Sequence, residues 1–533
     1  MNRQGGWEAF QQGQYINEAL GLAIDYSCID FPAGYLEEMK PIFQKAFQGM
    51  RELEHGAIAN PDENRMVGHY WLRDAALAPD KKIGQEITDT VARIKAFARK
   101  IREGQLVSAQ GKAFSRFLLI GIGGSALGPM LLHDAFGFQQ AKDGLKGYFL
   151  DNTDPDGIAR VLGELEDYLA ETLVIVISKS GGTVETRNGM LETQQYFAAR
   201  KIDFARQAVA ITTAGSKMDR LAEEEGWLKR FYIWDWVGGR SSVTSAVGLL
   251  PLALQGLDLQ EFLAGARECD QASRVSLIFE NPAAILAAAW YYHVKKRKRG
   301  NMVVLPYRDS LQLMSRYLQQ LIMESLGKEK DLENRTVHEG LTVFGNKGST
   351  DQHAYVQQLL DGVYDALVVF VEIKKDQRKK PVFVEKDITS GDYLKAFMEG
   401  TRRALKQKKR CSLTISLEKL DPRKMGVLIA LFERAVGLYA GLINVNAYHQ
   451  PGVELGKKGA SFYIELQHEV LRFLRFQAGR SFTVEEIAHE IGAVKEKELI
   501  YKILEYLYAN MRHDIKKEKG ETPFSARYSI KQK

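Results

Sequence analysis

The chain has 533 residues, of which 45% are hydrophobic and 26% charged, a composition typical of a globular protein with a large core. Its 73 basic and 67 acidic residues leave a formal charge of +6, which is too small an excess for this length to indicate a nucleic-acid or membrane partner. The three cysteines, Cys28, Cys269 and Cys411, are odd in number and far apart, so they predict a reducing compartment. Neither a signal-peptide core nor an apolar run of about 18 residues is found, and we expect a soluble, cytoplasmic protein.

The first segment, residues 1–105, is predicted to be mostly helical. Its stretch 80–104 places apolar residues at helical spacing and ends in a glycine. We expect this segment to pack on the second of the two domains that follow it.

From residue 106 the pattern changes to short apolar runs, each followed by glycine or small polar residues. Examples are "RFLLIGIGG", "TLVIVISKSGG" and "QAVAITTAGS" in 106–285, and "NMVVLPY" and "DALVVFVEI" in 286–460. Strands that alternate with stretches of helical length predict a parallel sheet covered on both faces. The predicted fold class is therefore α/β, with two tandem doubly wound parallel-sheet domains and helical extensions at both ends.

The tail, residues 461–533, is predicted to be helical because "TVEEIAHEIGAVKEKELIYKILEYL" is strongly amphipathic. It could be a packing arm at a dimer interface or a small winged-helix-like module. The mixed signs of its charges favour the packing arm.

The motif "VISKSGGTVET" predicts a phosphate site at the end of a buried strand. Ser178, Ser180 and Thr183 can donate hydroxyl hydrogen bonds, and Lys179 can add a charge near the positive end of the next helix. The two glycines allow a tight turn that exposes backbone amides. The alternative is a polar turn that binds nothing, because glycine-rich loops give false positives.

A second glycine turn, "LLIGIGGSALGP", contains Gly124 and Ser125 and also follows a strand. It matches the dinucleotide-binding pattern only superficially, since the expected acidic residue would have to be Asp151. A turn that holds one anion or a sugar fits equally well, and we take nucleotide binding as the minor interpretation.

Two further motifs contain side chains that are suited to proton-transfer chemistry. Arg240 follows a strand and two glycines, where an arginine can point into the crevice and hold negative charge. Gln320 and Glu324 are stacked at i, i+4 near the end of a predicted helix, and a carboxylate there is a candidate general base. The alternative for Glu324 is a surface glutamate beside Lys328.

Two loops contain the remaining candidates. His353 in "FGNKGSTDQHAYVQQL" is either a proton shuttle or a capping or core histidine. Gln450 and Lys457 lie in "NAYHQPGVELGKKGA". The alternative interpretation of this segment is a surface turn without a function.

Between about residues 65 and 460 the chain resembles the glucose-6-phosphate isomerase family through six ordered motifs. They are "GIGGSALGP", "SKSGGTVET", "GGRSSVTSAVG", "IMESLGK", "GSTDQHAYVQQL" and "HQPGVELGK". The resemblance implies two sugar-isomerase (SIS) domains, a homodimer, and no metal or nucleotide cofactor. It also implies reversible aldose–ketose exchange between glucose 6-phosphate and fructose 6-phosphate through a cis-enediol, in glycolysis and gluconeogenesis.

The resemblance assigns roles to twelve positions. Glu324 would move the proton between carbon 1 and carbon 2, and Arg240 would stabilise the enediolate. His353, supplied by the neighbouring subunit and assisted by Lys457, would open the sugar ring. The other positions would bind the substrate or its phosphate: Gly124, Ser125, Ser178, Lys179, Ser180, Thr183, Gln320 and Gln450.

Two other functions stay open at this point. One is a catalytically silent sugar-phosphate sensor, which would need the phosphate turn but not a base. The other is a relative acting on mannose phosphates or amino sugars. Ser241, Ser242 and Pro451 depart from residues common in the family and leave the glucose-versus-mannose preference open, whereas the lack of an N-terminal catalytic cysteine disfavours the amino sugars. The basic runs 295–301 and 374–380 are read as solvated surface, so we expect no nucleic-acid partner.

Overall fold

The computed structural model describes residues 6–137, 143–377 and 380–531. The chain divides into two compact units, Met1–His449 and Gln450–Lys533. The helix Pro451–Phe476 belongs to the second unit and spans the predicted boundary at residues 460/461.

The N-terminal segment contains helices and one hairpin. Its elements are α1 (Trp7–Gln12), β1 (Gln14–Asn17), β2 (Leu22–Asp25), α2 (Tyr35–Glu38), α3 (Lys40–Glu54) and α4 (Lys81–Arg102). Helix α4 begins where the Asp80 carboxylate accepts a hydrogen bond from the Ile83 amide.

The first sheet has five parallel strands in the order β4-β3-β5-β6-β7. The elements of this region are β3 (Arg116–Ile120), α5 (Gly124–Phe136), β4 (Lys146–Leu150), α6 (Pro155–Glu164), β5 (Thr172–Ile177), α7 (Val184–Ala199), β6 (Ala208–Thr212), α8 (Lys217–Glu224) and β7 (Lys229–Tyr232). Alternate residues of β5 enter two cores: Leu173 and Ile175 lie in one, Val174 and Val176 in the other. Both faces of this sheet are therefore covered, as predicted.

The second sheet follows a helical connection. The elements are α9 (Ala246–Leu254), α10 (Leu259–Ala272), α11 (Pro282–Tyr291), β8 (Asn301–Pro306), α12 (Met314–Leu318), β9 (Lys328–Lys330), β10 (Thr336–Glu339), β11 (Thr342–Phe344), α13 (Val356–Asp361), β12 (Ala366–Ile373), β13 (Phe383–Glu385), β14 (Ile388–Thr389), α14 (Ser390–Gln407), β15 (Ser412–Leu417) and α15 (Pro422–Ile443). The strand order is β1-β2-β15-β12-β8-β11, and β15, β12, β8 and β11 are parallel. The predicted α/β class with two parallel sheets is confirmed.

The N-terminal segment is mostly helical, and it also contributes two strands that the sequence pattern did not predict. Strands β1 and β2 form an antiparallel hairpin, and β2 pairs antiparallel with β15. The segment therefore joins the second sheet as edge strands.

Helix α15 forms the centre of the main core. It is the one helix in the described residues that is long and apolar enough to span a membrane, but 94% of its most apolar 18-residue window is buried. Arg434 on this helix is also buried and donates to Asp270 at 2.8 Å, so the charge inside the core is paired.

The second unit has its own hydrophobic core. Its elements are α16 (Pro451–Phe476), α17 (Val484–Glu490), α18 (Lys497–Ala509), β16 (Ile515–Glu518) and β17 (Arg527–Ile530). Strands β16 and β17 form a hairpin, and Phe482 bridges to Tyr528 as a third short strand. The tail is therefore not simply helical, and its role as a packing arm or as a small winged-helix-like module stays a prediction.

The charges of α18 differ from those of a helix that binds nucleic acid. Lys502 pairs with Glu498 on the exposed face, and Glu505 pairs with Lys517 of the hairpin. These opposite charges cancel, whereas a helix that binds DNA needs a surplus of cations facing the phosphates.

Candidate active site

The strand-to-helix turn after β5 has the geometry of an anion site. Ser178 is buried, and its hydroxyl lies 3.0 Å from that of Thr183 and accepts a hydrogen bond from the Gly181 amide at 3.1 Å. Gly181 has φ +68°, and a Cβ there would lie 2.6 Å from the Met218 amide, so only glycine fits this turn. Helix α7 starts after Thr183 without a side-chain cap, which leaves its first amides open to an anion.

Lys179 lies in the same turn, but its ammonium group contacts the loop that follows β7. It donates to the carbonyls of Asp235 at 2.8 Å and Val237 at 2.9 Å. It also lines a pocket that includes Arg65 and Arg240. Burial, helped by the nearby charge of Arg65, lowers the pKa of Lys179 to about 8.

Arg240 and Glu324 form the central pair of the site. Arg240 lies in a 3-10 helix, Gly239–Thr244, and is only 8% exposed. Glu324 ends a π-helical turn, Gln319–Glu324, and its side chain is 17% exposed. The Arg240 Nε donates to the Glu324 Oε2 at 3.3 Å. Glu324 is therefore not the solvated surface residue of the alternative interpretation.

Close backbone approaches bring the second glycine turn against this pair. A Cβ on Gly124, at the start of α5, would lie 2.0 Å from the Gly239 carbonyl oxygen. A Cβ on Gly123 would lie 3.0 Å from the Gln320 side chain. Glycine at 124 thus lets the N-terminus of α5, with Ser125, pack directly beside the turn that contains Arg240.

These contacts place a turn with the geometry of an anion site, two cations and a carboxylate along one edge of the first sheet. The carboxyl ends of parallel strands are where open α/β sheets bind their ligands. A carboxylate beside a guanidinium can remove a proton next to a carbonyl while the cation stabilises the negative oxygen that forms.

His353 lies on a different element of the first unit from Arg240 and Glu324. It is exposed at the end of a 3-10 helix, Thr350–His353, and makes no hydrogen bond or ion pair with any described residue. The turn before it is fixed by the buried Asp351, which accepts from the Asn346 amide at 3.0 Å.

Gln450 and Lys457 belong to the second unit. Gln450 precedes α16, and Lys457 is exposed on the first turns of that helix. Their roles, like that of His353, stay predictions.

Sequence reasoning missed one residue of the site, Lys328. It was considered only as a surface neighbour of Glu324, yet it is 6% exposed and donates to the Glu324 carbonyl at 2.8 Å. No local pattern marks it, because Lys328 is the first residue of β9 and its contacts are with the carbonyls of Glu324 and of the distant His449.

Comparison with known proteins identifies the family. The sequence model of phosphoglucose isomerase matches residues 43–472. The glucose-6-phosphate isomerase of Geotalea daltonii is 52% identical over 528 residues, covering 99% of both chains, and that of Citrifermentans bemidjiense is 52% identical over 531 residues, covering 100% of both. The crystal structure of a glucose-6-phosphate isomerase from Chlamydia trachomatis aligns with TM-score 0.79 and 27% identity over 89% of this chain and 95% of that one. With this coverage and the geometry above, the chain belongs to the phosphoglucose isomerase family.

Proposed function

We propose that this chain interconverts glucose 6-phosphate and fructose 6-phosphate, as an aldose–ketose isomerase of glycolysis and gluconeogenesis. The observation that carries the proposal is the Glu324–Arg240 pair, with Nε and Oε2 3.3 Å apart, at the sheet edge that also contains the Ser178–Thr183 turn. A sugar-phosphate sensor would need the turn but not a half-buried carboxylate beside a guanidinium. The enzyme function is therefore favoured over the sensor.

In this mechanism the phosphate binds to the hydroxyls and amides of the turn and to the Lys179 ammonium, and the carbonyl end of the open-chain sugar lies beside Glu324. The Glu324 carboxylate removes the proton from carbon 2 of the aldose and returns it to carbon 1, while the hydroxyl proton of O2 passes to O1 through the cis-enediol. The charge that forms on the enediolate oxygen is stabilised by Arg240. Gly124, Ser125, Gln320 and Gln450 are proposed to contact the phosphate or the sugar.

The direct test is an isomerase assay on the purified full chain. Fructose 6-phosphate is supplied in the presence of EDTA, and glucose 6-phosphate formation is followed; mannose 6-phosphate formation is measured in parallel. We expect turnover to glucose 6-phosphate that EDTA does not reduce, since we propose no metal or other cofactor. Binding of fructose 6-phosphate without turnover would support the sensor instead.

Replacing Lys179 by alanine is expected to raise KM for fructose 6-phosphate about 10- to 100-fold, because a hydrogen bond to a charged group contributes about 1.5–3 kcal/mol. We expect kcat to change much less.

Since the pKa of Lys179 is lowered to about 8, the ammonium is lost at a lower pH than in a free lysine. KM of the parent enzyme should therefore rise as the pH passes through about 8.

The control for this prediction is Lys146→Ala. Lys146 is exposed at the start of β4, at the amino edge of the same sheet and opposite the phosphate turn. An unchanged KM in Lys179→Ala would contradict the proposed phosphate contact.

We also propose a cytoplasmic homodimer whose active site is completed by the neighbouring subunit. The exposed position of His353 supports this, because nothing within the described chain holds its ring. Exposed apolar side chains on or beside β13, β14 and α14 support it further, since exposed apolar surface is typical of interaction sites. They are Val382, Phe383, Val384, Ile388 and Phe397.

A further inference from the structure

Lys328 is a buried cation that the proposed mechanism does not yet use. It is the first residue of β9 and lies four residues after the proposed base. Its Nζ donates to two backbone carbonyls, that of Glu324 at 2.8 Å and that of His449 at 2.8 Å. One side chain therefore connects the segment that presents the base to the loop that ends at His449.

The same loop holds Arg240. The Arg240 Nη1 donates to the Ala447 carbonyl at 2.6 Å, and its Nη2 donates to the His449 carbonyl at 3.4 Å. Lys328 and Arg240 thus share the His449 carbonyl oxygen as an acceptor. A displacement of that carbonyl would break its hydrogen bond with Arg240. It would also break the bond by which Lys328 connects the Glu324 segment to this loop.

We propose that Lys328 is a positioning residue for the isomerisation: its bonds to the carbonyls of Glu324 and His449 fix the carboxylate and the Arg240 guanidinium at the spacing that proton transfer requires. Lys328 acts through these backbone groups and not on the sugar. The inference rests on the proposed isomerase function and adds to it a residue to which the motif comparison gave no role.

The charged and titratable groups around Lys328 come from four segments. Arg240 is the cation beside it, Glu324 is the carboxylate on its own segment, and Asp62 lies in the 3-10 helix Pro61–Glu63. His449 is the fourth group, and its Nε2 lies 3.6 Å from the Asp62 Oδ2. Burial and then Arg240 lower the pKa of Lys328 to about 8, while Glu324 and Asp62 oppose this shift.

The protonation state of Lys328 provides a second test of the same role. Above about pH 8 the ammonium becomes an amine, whose hydrogen bonds to carbonyls are weaker. Bound phosphate should keep Lys179 charged in the enzyme–substrate complex, so the loss at Lys328 is expected to appear in kcat and not in KM.

The test compares three variants in the isomerase assay. Lys328→Met keeps the apolar stem but removes the donors, and we expect kcat to fall about 10- to 100-fold, as for a misplacement of about 1 Å, with KM within about twofold of the parent. Lys328→Arg keeps charge and donors and should restore most of kcat. Lys330→Met, exposed two residues further along β9, should match the parent.

Two outcomes would overturn the proposal: a kcat of Lys328→Met within about twofold of the parent, or a loss confined to KM. If Lys328→Met does not fold, Lys328→Arg still decides, because its kcat should lose the decline near pH 8 that the parent shows. An identical decline in both would then refute the role of Lys328. A parent chain without isomerase activity would instead reject the proposed function itself.

Discussion

Replacing Glu324 by glutamine is expected to lower kcat by about three orders of magnitude, since a positioned general base contributes about 10²- to 10⁴-fold. Glutamine has nearly the same shape and still accepts the hydrogen bond from Arg240, which is 3.3 Å from the carboxylate. We therefore expect the melting temperature and KM to stay close to those of the parent. The measurement is the coupled assay with fructose 6-phosphate, together with thermal unfolding.

The matched control is Glu329→Gln, which removes the charge of an exposed glutamate five residues further along the chain. It should leave kcat unchanged. A Glu324→Gln enzyme that keeps more than about a tenth of the parent activity would show that another group moves the proton.

The second large effect concerns the proposed contribution of a catalytic residue from one subunit to the active site of the other. His353→Gln should be nearly inactive with the ring-closed sugar, and mixing it with Glu324→Gln should restore activity. If His353 serves the neighbouring site, a mixed dimer has one site with both changes and one intact site. Because random reassociation makes about half of the dimers mixed, about a quarter of the parent activity is expected.

The mixture is unfolded and refolded together, and the recovered activity is compared with that of the separately refolded variants. His489→Gln, on the exposed face of α17, is the control and should keep full activity alone. If the mixed dimers form but no activity returns, His353 does not act in the neighbouring site.

The parts of the fold that were predicted correctly are those encoded locally. Strand β5 is a nearly continuous apolar run, and the glycines at 181 and 182 mark the turn after it directly in the sequence. Arg240 and Glu324 are 84 positions apart, so their contact depends on tertiary structure. Their pairing was expected only through the family resemblance.

The errors have the same physical origin. Strands β1 and β2 are four residues long each, and β2 pairs with the distant β15, where Asp25 lies opposite Thr414, which no local pattern reveals. The amphipathic tail correctly predicted helices, but the short hairpin β16–β17 that completes its core was missed. Lys328 was missed because burial of its ammonium depends on carbonyls supplied by two separate segments.

The central claim is that one site binds the phosphate at the Ser178–Thr183 turn and places the sugar carbonyl between Glu324 and Arg240. A crystal structure of Glu324→Gln with fructose 6-phosphate tests it most directly. We predict the phosphate on the hydroxyls and amides of that turn, and carbons 1 and 2 within about 3.5 Å of the residue 324 side chain. A phosphate bound elsewhere, or a carbonyl end that reaches neither residue 324 nor Arg240, would contradict this account.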